Sequence, residues 1–145
     1  MNNSSDSITR AFEQVFDQAL VFHGFTNFTR DYDVYAYCTA DPRTGIRPET
    51  LRLRFKYCVR ADVKSALPPA TWADSLDERL TDYEQGVDLT GFVWGVKWQC
   101  LYPGARLLPD STDAEAWTES VGIQFHEALI ETNAQTIALV FSGWR

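Results

Sequence analysis

Apolar residues at Ile8, Ala11, Phe12, Val15, Phe16, Ala19 and Leu20 recur every three to four positions, which places them on one face of a helix. Ser5, Asp6 and Ser7 are each suited to cap its start, because a short polar side chain can accept from an orphan backbone N–H. Gly24 is suited to close it in the left-handed conformation, with His23 in the last turn facing the negative end of the helix dipole. The period then changes from helical to two. Tyr32, Val34, Ala36 and Cys38 alternate with Asp33, Tyr35, Tyr37 and Thr39, predicting a strand over 31–39. Turn chemistry follows in Asp41-Pro42-Arg43-Thr44-Gly45. Leu51, Leu53, Phe55, Tyr57, Val59, Ala61 and Val63 then alternate with Arg52, Arg54, Lys56, Cys58, Arg60 and Asp62. That pattern predicts one long half-buried strand, paired with the first as a hairpin and carrying a basic outer stripe.

Pro68-Pro69 breaks the chain, and Pro69 suits the first position of a helix carrying Trp72, Leu76, Leu80 and Tyr83 on one stripe. Gly86 ends it, and Ser75 with Glu78 reads as a capping box that would divide the segment into two short helices. Phe92, Trp94, Val96, Trp98, Cys100 and Tyr102 share one face of a strand that stops at the Pro103-Gly104 turn. Thr112 with Glu115 opens a short helix closed by Gly122. Two strands, about 123–132 and 136–142, flank Asn133. Strands that follow one another without an intervening helix favour antiparallel pairing. The expected fold is α+β in a single domain over 1–145. It would have a mainly antiparallel sheet of about five strands, an N-terminal helix and two further helical segments covering one face. Residues 1–6 are expected to be disordered.

Several of these stretches also carry a likeness. Phe22-His23-Gly24-Phe25 with Arg30-Asp31-Tyr32-Asp33, and Phe55-Lys56-Tyr57-Cys58-Val59, are two of them. Trp94-Gly95-Val96-Lys97-Trp98-Gln99-Cys100 with Tyr102-Pro103-Gly104, and the close from Glu131-Thr132-Asn133 to Phe141-Ser142, are the others. Over most of residues 12–142 the chain resembles the YxiG-like proteins, small bacterial proteins of actinobacteria and bacilli. The shared motifs are strand and turn patterns, so the resemblance implies no established activity. Proteins of this general kind include immunity proteins to secreted toxins, an analogy of kind only.

Composition narrows the classes. Of 145 residues 45% are hydrophobic and 14% aromatic, which excludes a disordered tail, a collagen-like chain and a coiled coil. No stretch reaches the roughly 18 consecutive apolar residues of a membrane span, and the opening MNNSSDSITR lacks an apolar core, so a soluble, cytoplasmic protein is expected. The net charge of -7 is uneven: residues 1–66 hold 9 basic and 8 acidic side chains, residues 67–145 hold 4 basic and 12 acidic. An acidic chain repels phosphate backbones, so nucleic acid is not the expected partner. An acidic half, with Asp77, Glu78, Asp82 and Glu84 on its first helix, suits a basic protein partner, although solubility alone accounts for such charge. Cys38, Cys58 and Cys100 are odd in number, widely spaced and without a CxxC, which predicts free, buried thiols.

Catalytic and metal signatures are weak. His126-Glu127 begins like HExxH, but Ile130 stands where the second ligand belongs. His23, Asp31 and Asp33 could offer mixed ligands, yet a helix-end histidine and a solvated strand account for them more simply. No catalytic residue, metal or cofactor is expected. The sharpest surface feature is the stripe Arg52, Arg54, Lys56 and Arg60, beside Tyr35 and Tyr37 on the neighbouring strand. Charge and stacking there could bind an anionic or nucleic-acid ligand; cross-strand neutralisation by Asp31, Asp33 and Asp62 is the simpler role. The expected function is a non-enzymatic binding or interaction protein, immunity-like toward a toxin. The alternative is a small enzyme or ligand-binding domain with a pocket lined by Trp94, Trp98, Tyr35 and Tyr37.

Overall fold

The computed structural model describes residues 3–38, 47, 49–76 and 99–144. The fold is α+β; the described residues form nine strands in two antiparallel sheets and three helices. Helix α1 is Asn3–Val15, α2 is Pro69–Ser75 and α3 is Thr112–Val121. The strands are β1 Ala19–Thr26, β2 Asp31–Cys38, β3 Glu49–Lys56, β4 Arg60–Ser65 and β5 Gln99–Cys100. They continue with β6 Gly104–Leu108, β7 His126–Glu131, β8 Gln135–Phe141 and β9 Gly143–Trp144. One sheet has the order β5-β1-β2-β3-β9 and the other β4-β8-β7-β6. The expected turn at 41–45, the helical residues beyond 76 and most of the strand at 92–102 lie outside the described residues.

A single core fills the space between the inner faces of the sheets. Val34, Ala36 and Phe55 come from the five-stranded sheet; Ala128, Ile130, Ile137, Leu139 and Phe141 come from the four-stranded one. Helix α1 adds Ile8, Phe12 and Val15 to the same cluster, and the Phe12 ring lies 6.2 Å from that of Phe55. Each of the larger aliphatic and phenyl side chains contributes about 1.5–3 kcal/mol when fully buried. Helix α3 packs instead on the outer face of the four-stranded sheet, where Ala114 meets Phe125, Val140 and Val59. Ser111, not Thr112, caps it: the Ser111 hydroxyl accepts from the Ala114 N–H at 3.1 Å. Gly122 closes it in the left-handed conformation, as the sequence predicted.

The first helix ends earlier than its apolar period. Asp17 adopts a φ of 61° and its N–H donates to the Leu101 carbonyl at 2.8 Å, which turns the chain away from the helix. Residues 19–26 then form β1, so His23 is a strand residue and Gly24 sits opposite Asp33. The helix-dipole role expected for His23 is therefore corrected. The run from Leu20 to Phe25 is rich in aromatic and branched side chains, and a short apolar run fits helix and strand alike by period alone. His23 points between the sheets. Its Nδ1 lies 2.6 Å from the Tyr32 hydroxyl and its Nε2 lies 2.8 Å from Gln135 Oε1. Nearby, the turn after β7 is bonded to β5: the Cys100 N–H donates to Asn133 Oδ1 at 2.8 Å and the Thr132 hydroxyl to Gln99 Oε1 at 2.9 Å.

The long strand expected over 51–63 is two strands in two sheets. Tyr57, with a φ of 53°, bends the chain so that its own ring is exposed and the next residue, Cys58, enters the core. Ser142 makes the matching passage from β8 to β9. The two passages stay bonded to each other: the Val59 N–H donates to Val140 O at 2.9 Å and the Ser142 N–H to Lys56 O at 2.9 Å. Asp31 holds the bend in place. Its side chain is 3% exposed; Oδ1 accepts from the Tyr57 N–H at 3.1 Å and Oδ2 from the Asn27 amide at 2.7 Å. Burial alone would raise the Asp31 pKa, but those two hydrogen bonds and the charges of Arg30 and Arg54 leave it lowered.

Strand β6 has no counterpart in the sequence reading, which took Pro103-Gly104 as a turn and assigned nothing to 105–108. It pairs with β7 from Gly104 opposite Glu131 to Leu108 opposite Glu127. Glycine is required at its start: φ there is 107°, and a Cβ would meet the Phe16 ring at 3.0 Å.

Candidate binding face on the five-stranded sheet

The outer face of this sheet collects most of the predicted residues that the structure describes. In β2, Tyr35 and Tyr37 project from the same side as Asp33. The register pairs Tyr35 with Phe22 on one neighbour and Arg52 on the other, and Asp33 with Arg54. Directly paired residues share a face, so Phe22, Tyr35, Tyr37, Arg52 and Arg54 form one patch. Phe22 is 63% exposed and Tyr37 40%, and the rings of Phe22 and Tyr35 are 6.1 Å apart. Gly24 leaves room for this: the Phe22 ring folds over it, 3.4 Å from where a Cβ would stand.

The arginines differ sharply in their partners. Arg54 grips Asp33 with both arms, Nε to Oδ1 at 2.8 Å and Nη2 to Oδ2 at 3.0 Å. The hydrogen bonds it donates to Asp33 raise the Arg54 pKa further. Arg54 is thus neutralised across the strands. Arg52 is exposed, and among the described residues it has no ion pair. Lys56 ends the stripe with its Nζ 5.6 Å from the centre of the Tyr57 ring.

Arg60 belongs elsewhere. The bend at Tyr57 carries it to the four-stranded sheet, beneath the start of α3. There it pairs with Asp113, with Glu127 at 3.3 Å and with Asp62 at 3.1 Å. Glu127 in turn accepts from the capping Ser111 hydroxyl at 2.6 Å. Arg60 therefore fastens a helix to a sheet, and the four-residue basic stripe is corrected to three residues. Of the acids expected to neutralise it, Asp33 does so through Arg54; Asp62 pairs with the departed Arg60, and Asp31 is engaged by Asn27 and Tyr57 instead.

Asp77, Glu78, Asp82, Glu84, Trp94 and Trp98 lie outside the described residues. Tyr35 and Tyr37 stand on an open sheet face. His23 points to the inner side of this sheet, whereas Asp31 and Asp33 belong to its outer side, so the three do not converge. Among the described residues no group of three or more His, Cys, Asp or Glu side chains could hold a metal ion. The three cysteines are free; burial pushes the Cys58 thiol up to about 11, and burial with the Asp17 carboxylate does the same for Cys100. Phe22 is the contact residue that sequence reading missed. It was hidden inside the supposed end of the first helix, and the aromatic-rich run Val21 to Phe25 is the signal that could have found it.

The fold and this face define a two-sheet α+β protein with an open, aromatic and basic sheet surface. The chain belongs to the YxiG-like protein family, whose model matches residues 4–145. No curated protein and no solved structure matches it. Among the described residues no helix is long and apolar enough to cross a membrane.

Proposed function

We propose that the protein is a non-enzymatic binding protein that meets a protein partner through the outer face of the five-stranded sheet. The observation that supports this reading is the solvent exposure of Phe22 and Tyr37 beside Arg52, which has no ion pair among the described residues, on paired strands. Aromatic side chains and arginine dominate the energetic centres of protein interfaces, because they bury large areas at low entropic cost. An open face favours a macromolecule over a small ligand, which needs a concave site. The net charge of -7 favours a partner that is basic overall, while at the contact itself the exposed Arg52 calls for a carboxylate or carbonyl on that partner. In the immunity-like form of this reading the partner is a toxin in the same cytoplasm, and a toxin nuclease is basic because it must approach phosphates.

The test is recovery of partners from native cytosol with wild type and with a Phe22→Ala, Tyr37→Ala, Arg52→Ala variant. A stoichiometric basic protein should be recovered by the wild type and bound at least about tenfold more weakly by the variant, whose strands keep their pairing. Its association should slow as salt rises. Equal recovery by both proteins sinks the reading.

A further inference from the structure

A second surface lies where the bend at Tyr57 meets the β1–β2 turn. Asn27, Phe28 and Thr29 form that turn with φ values of 53°, 61° and 67°, all in the left-handed region. Three successive non-glycine residues there are costly, and such strain persists only where the surroundings impose it. Here they do: Asn27 donates to the buried Asp31, and the Cys58 N–H donates to Arg30 O at 2.8 Å. The product of this strain is a fully exposed Phe28 ring. Together with Arg30, Tyr57, Val121 and Ile123 it lines a groove of about 1000 Å³. Tyr57, Val121 and Ile123 are themselves exposed.

Charge indicates what fills the groove. The Arg30 guanidinium lies 5.1 Å from the centre of the Tyr57 ring, and the Lys56 ammonium lies 5.6 Å from the same centre. Two cations thus converge on one ring. Neither has a carboxylate within ion-pair distance among the described residues. Asp31 is near Arg30 but is buried, with both oxygens held by Tyr57 and Asn27. A carboxylate arriving near that ring would be attracted by both.

We infer that this groove docks a peptide segment of a partner protein in which a large apolar side chain stands beside an aspartate or glutamate. The apolar side chain enters between Phe28, Tyr57 and Ile123, and the carboxylate bridges Arg30 and Lys56. This contact shares Lys56 with the end of the basic stripe but uses none of Phe22, Tyr37 or Arg52, so it holds whether or not the outer sheet face binds anything. A second copy of the chain is the competing occupant, since Phe28 is a knob beside a hole.

The test pans a random heptapeptide library, displayed on phage, against the whole chain. Enriched peptides should combine a large apolar residue with Asp or Glu within two positions. As synthetic peptides they should bind at least about fivefold more weakly to Phe28→Ser and to Lys56→Glu than to the wild type. Both positions are at the surface, and circular dichroism checks that each variant is folded. The inference is overturned if no sequence is enriched, if the enriched sequences lack acids, or if binding ignores both substitutions. A wild-type dimer that Phe28→Ser dissolves also overturns it, in favour of the second copy.

Discussion

Asp31→Asn isolates the carboxylate that ties the β1–β2 turn to the bend at Tyr57. The substitution keeps shape and replaces one accepting oxygen with an NH2. That group faces either the Tyr57 N–H or the Asn27 amide, both of which donate to Asp31 at 3.1 and 2.7 Å. One hydrogen bond to a charged acceptor is lost, and a buried donor is left facing another donor. At neutral pH the loss should be about 2–3 kcal/mol. For a chain of 145 residues that corresponds to a melting temperature lower by about 6–12 °C. The pH dependence tests the mechanism. The folded carboxyl has a lowered pKa, so its contribution is complete above the unfolded value of about 3.9. It fades as pH falls through the folded value, because the wild type then carries a proton as well. Urea unfolding of both proteins, from pH 7 down to the acid edge of the folded state, should show the gap between them closing. Hydrogen exchange at the Tyr57 amide should be faster in the variant at pH 7. A gap of the same size at every pH, or no gap at pH 7, refutes the reasoning.

His126, whose pKa is lowered by burial, packs its ring 5.9 Å from Phe141 and 5.6 Å from Trp144. Stability should therefore fall as pH drops below about 6.5, where the unfolded imidazole binds a proton more readily than the folded one; His126→Phe should remove that slope from a urea titration, and an unchanged slope counts against this. Phe55→Ala should cost about 3–5 kcal/mol, since the ring is fully buried against Phe12 and Phe141, and a loss under about 1 kcal/mol would mean that the core is not where we place it. Gly122→Ala should cost about 1 kcal/mol by thermal unfolding and no more, because φ is 91° but nothing lies within 4 Å of the added Cβ. All three thiols should titrate in the unfolded, unreduced protein, with Cys58 and Cys100 slow to alkylate at pH 8 in the folded one; a single free thiol would indicate a disulfide.

Period-two alternation was a reliable guide wherever a strand has one wet face. Tyr32, Val34, Ala36 and Cys38 turn inward as the pattern of β2 requires, and Gly122 closes α3 because few residues accept its backbone angles. Three features escaped for physical reasons. Alternation continued through Tyr57 because odd-numbered residues face the core on both sides of the bend, Phe55 in β3 and Ala61 in β4, so the sheet change was invisible. β1 was hidden because its run Leu20 to Phe25 continues the helical period of α1, and the left-handed Asp17 that separates them leaves no mark in composition. β6 is short and begins at a glycine that also reads as a turn. The basic and aromatic face was legible as residues 35, 37, 52 and 54, since strand alternation predicts a shared face. Its aromatic neighbour Phe22 and the departure of Arg60 were not, because both depend on the register of strands that the sequence had merged with other elements.

The paired passage of β3–β4 and β8–β9 between the sheets sets a schedule for assembly during synthesis. Among the described residues β4 pairs with β8 alone, so residues 60–65 wait for residues 135–140 before that pairing forms. β3 and β9 close over a still longer separation, Phe55 with Trp144. The hairpin of β1 and β2 with β3 can form as soon as it leaves the ribosome, but its inner face stays bare until the other sheet arrives. Contacts of this range make folding slow, on the order of milliseconds to seconds. A ribosome adding about 5–20 residues per second takes several seconds to travel from β4 to β8. Throughout that interval the nascent chain presents an unpaired strand and half a core. Codon choice and chaperone supply across residues 66–134 will therefore govern the yield of folded protein more than substitutions on its finished surface.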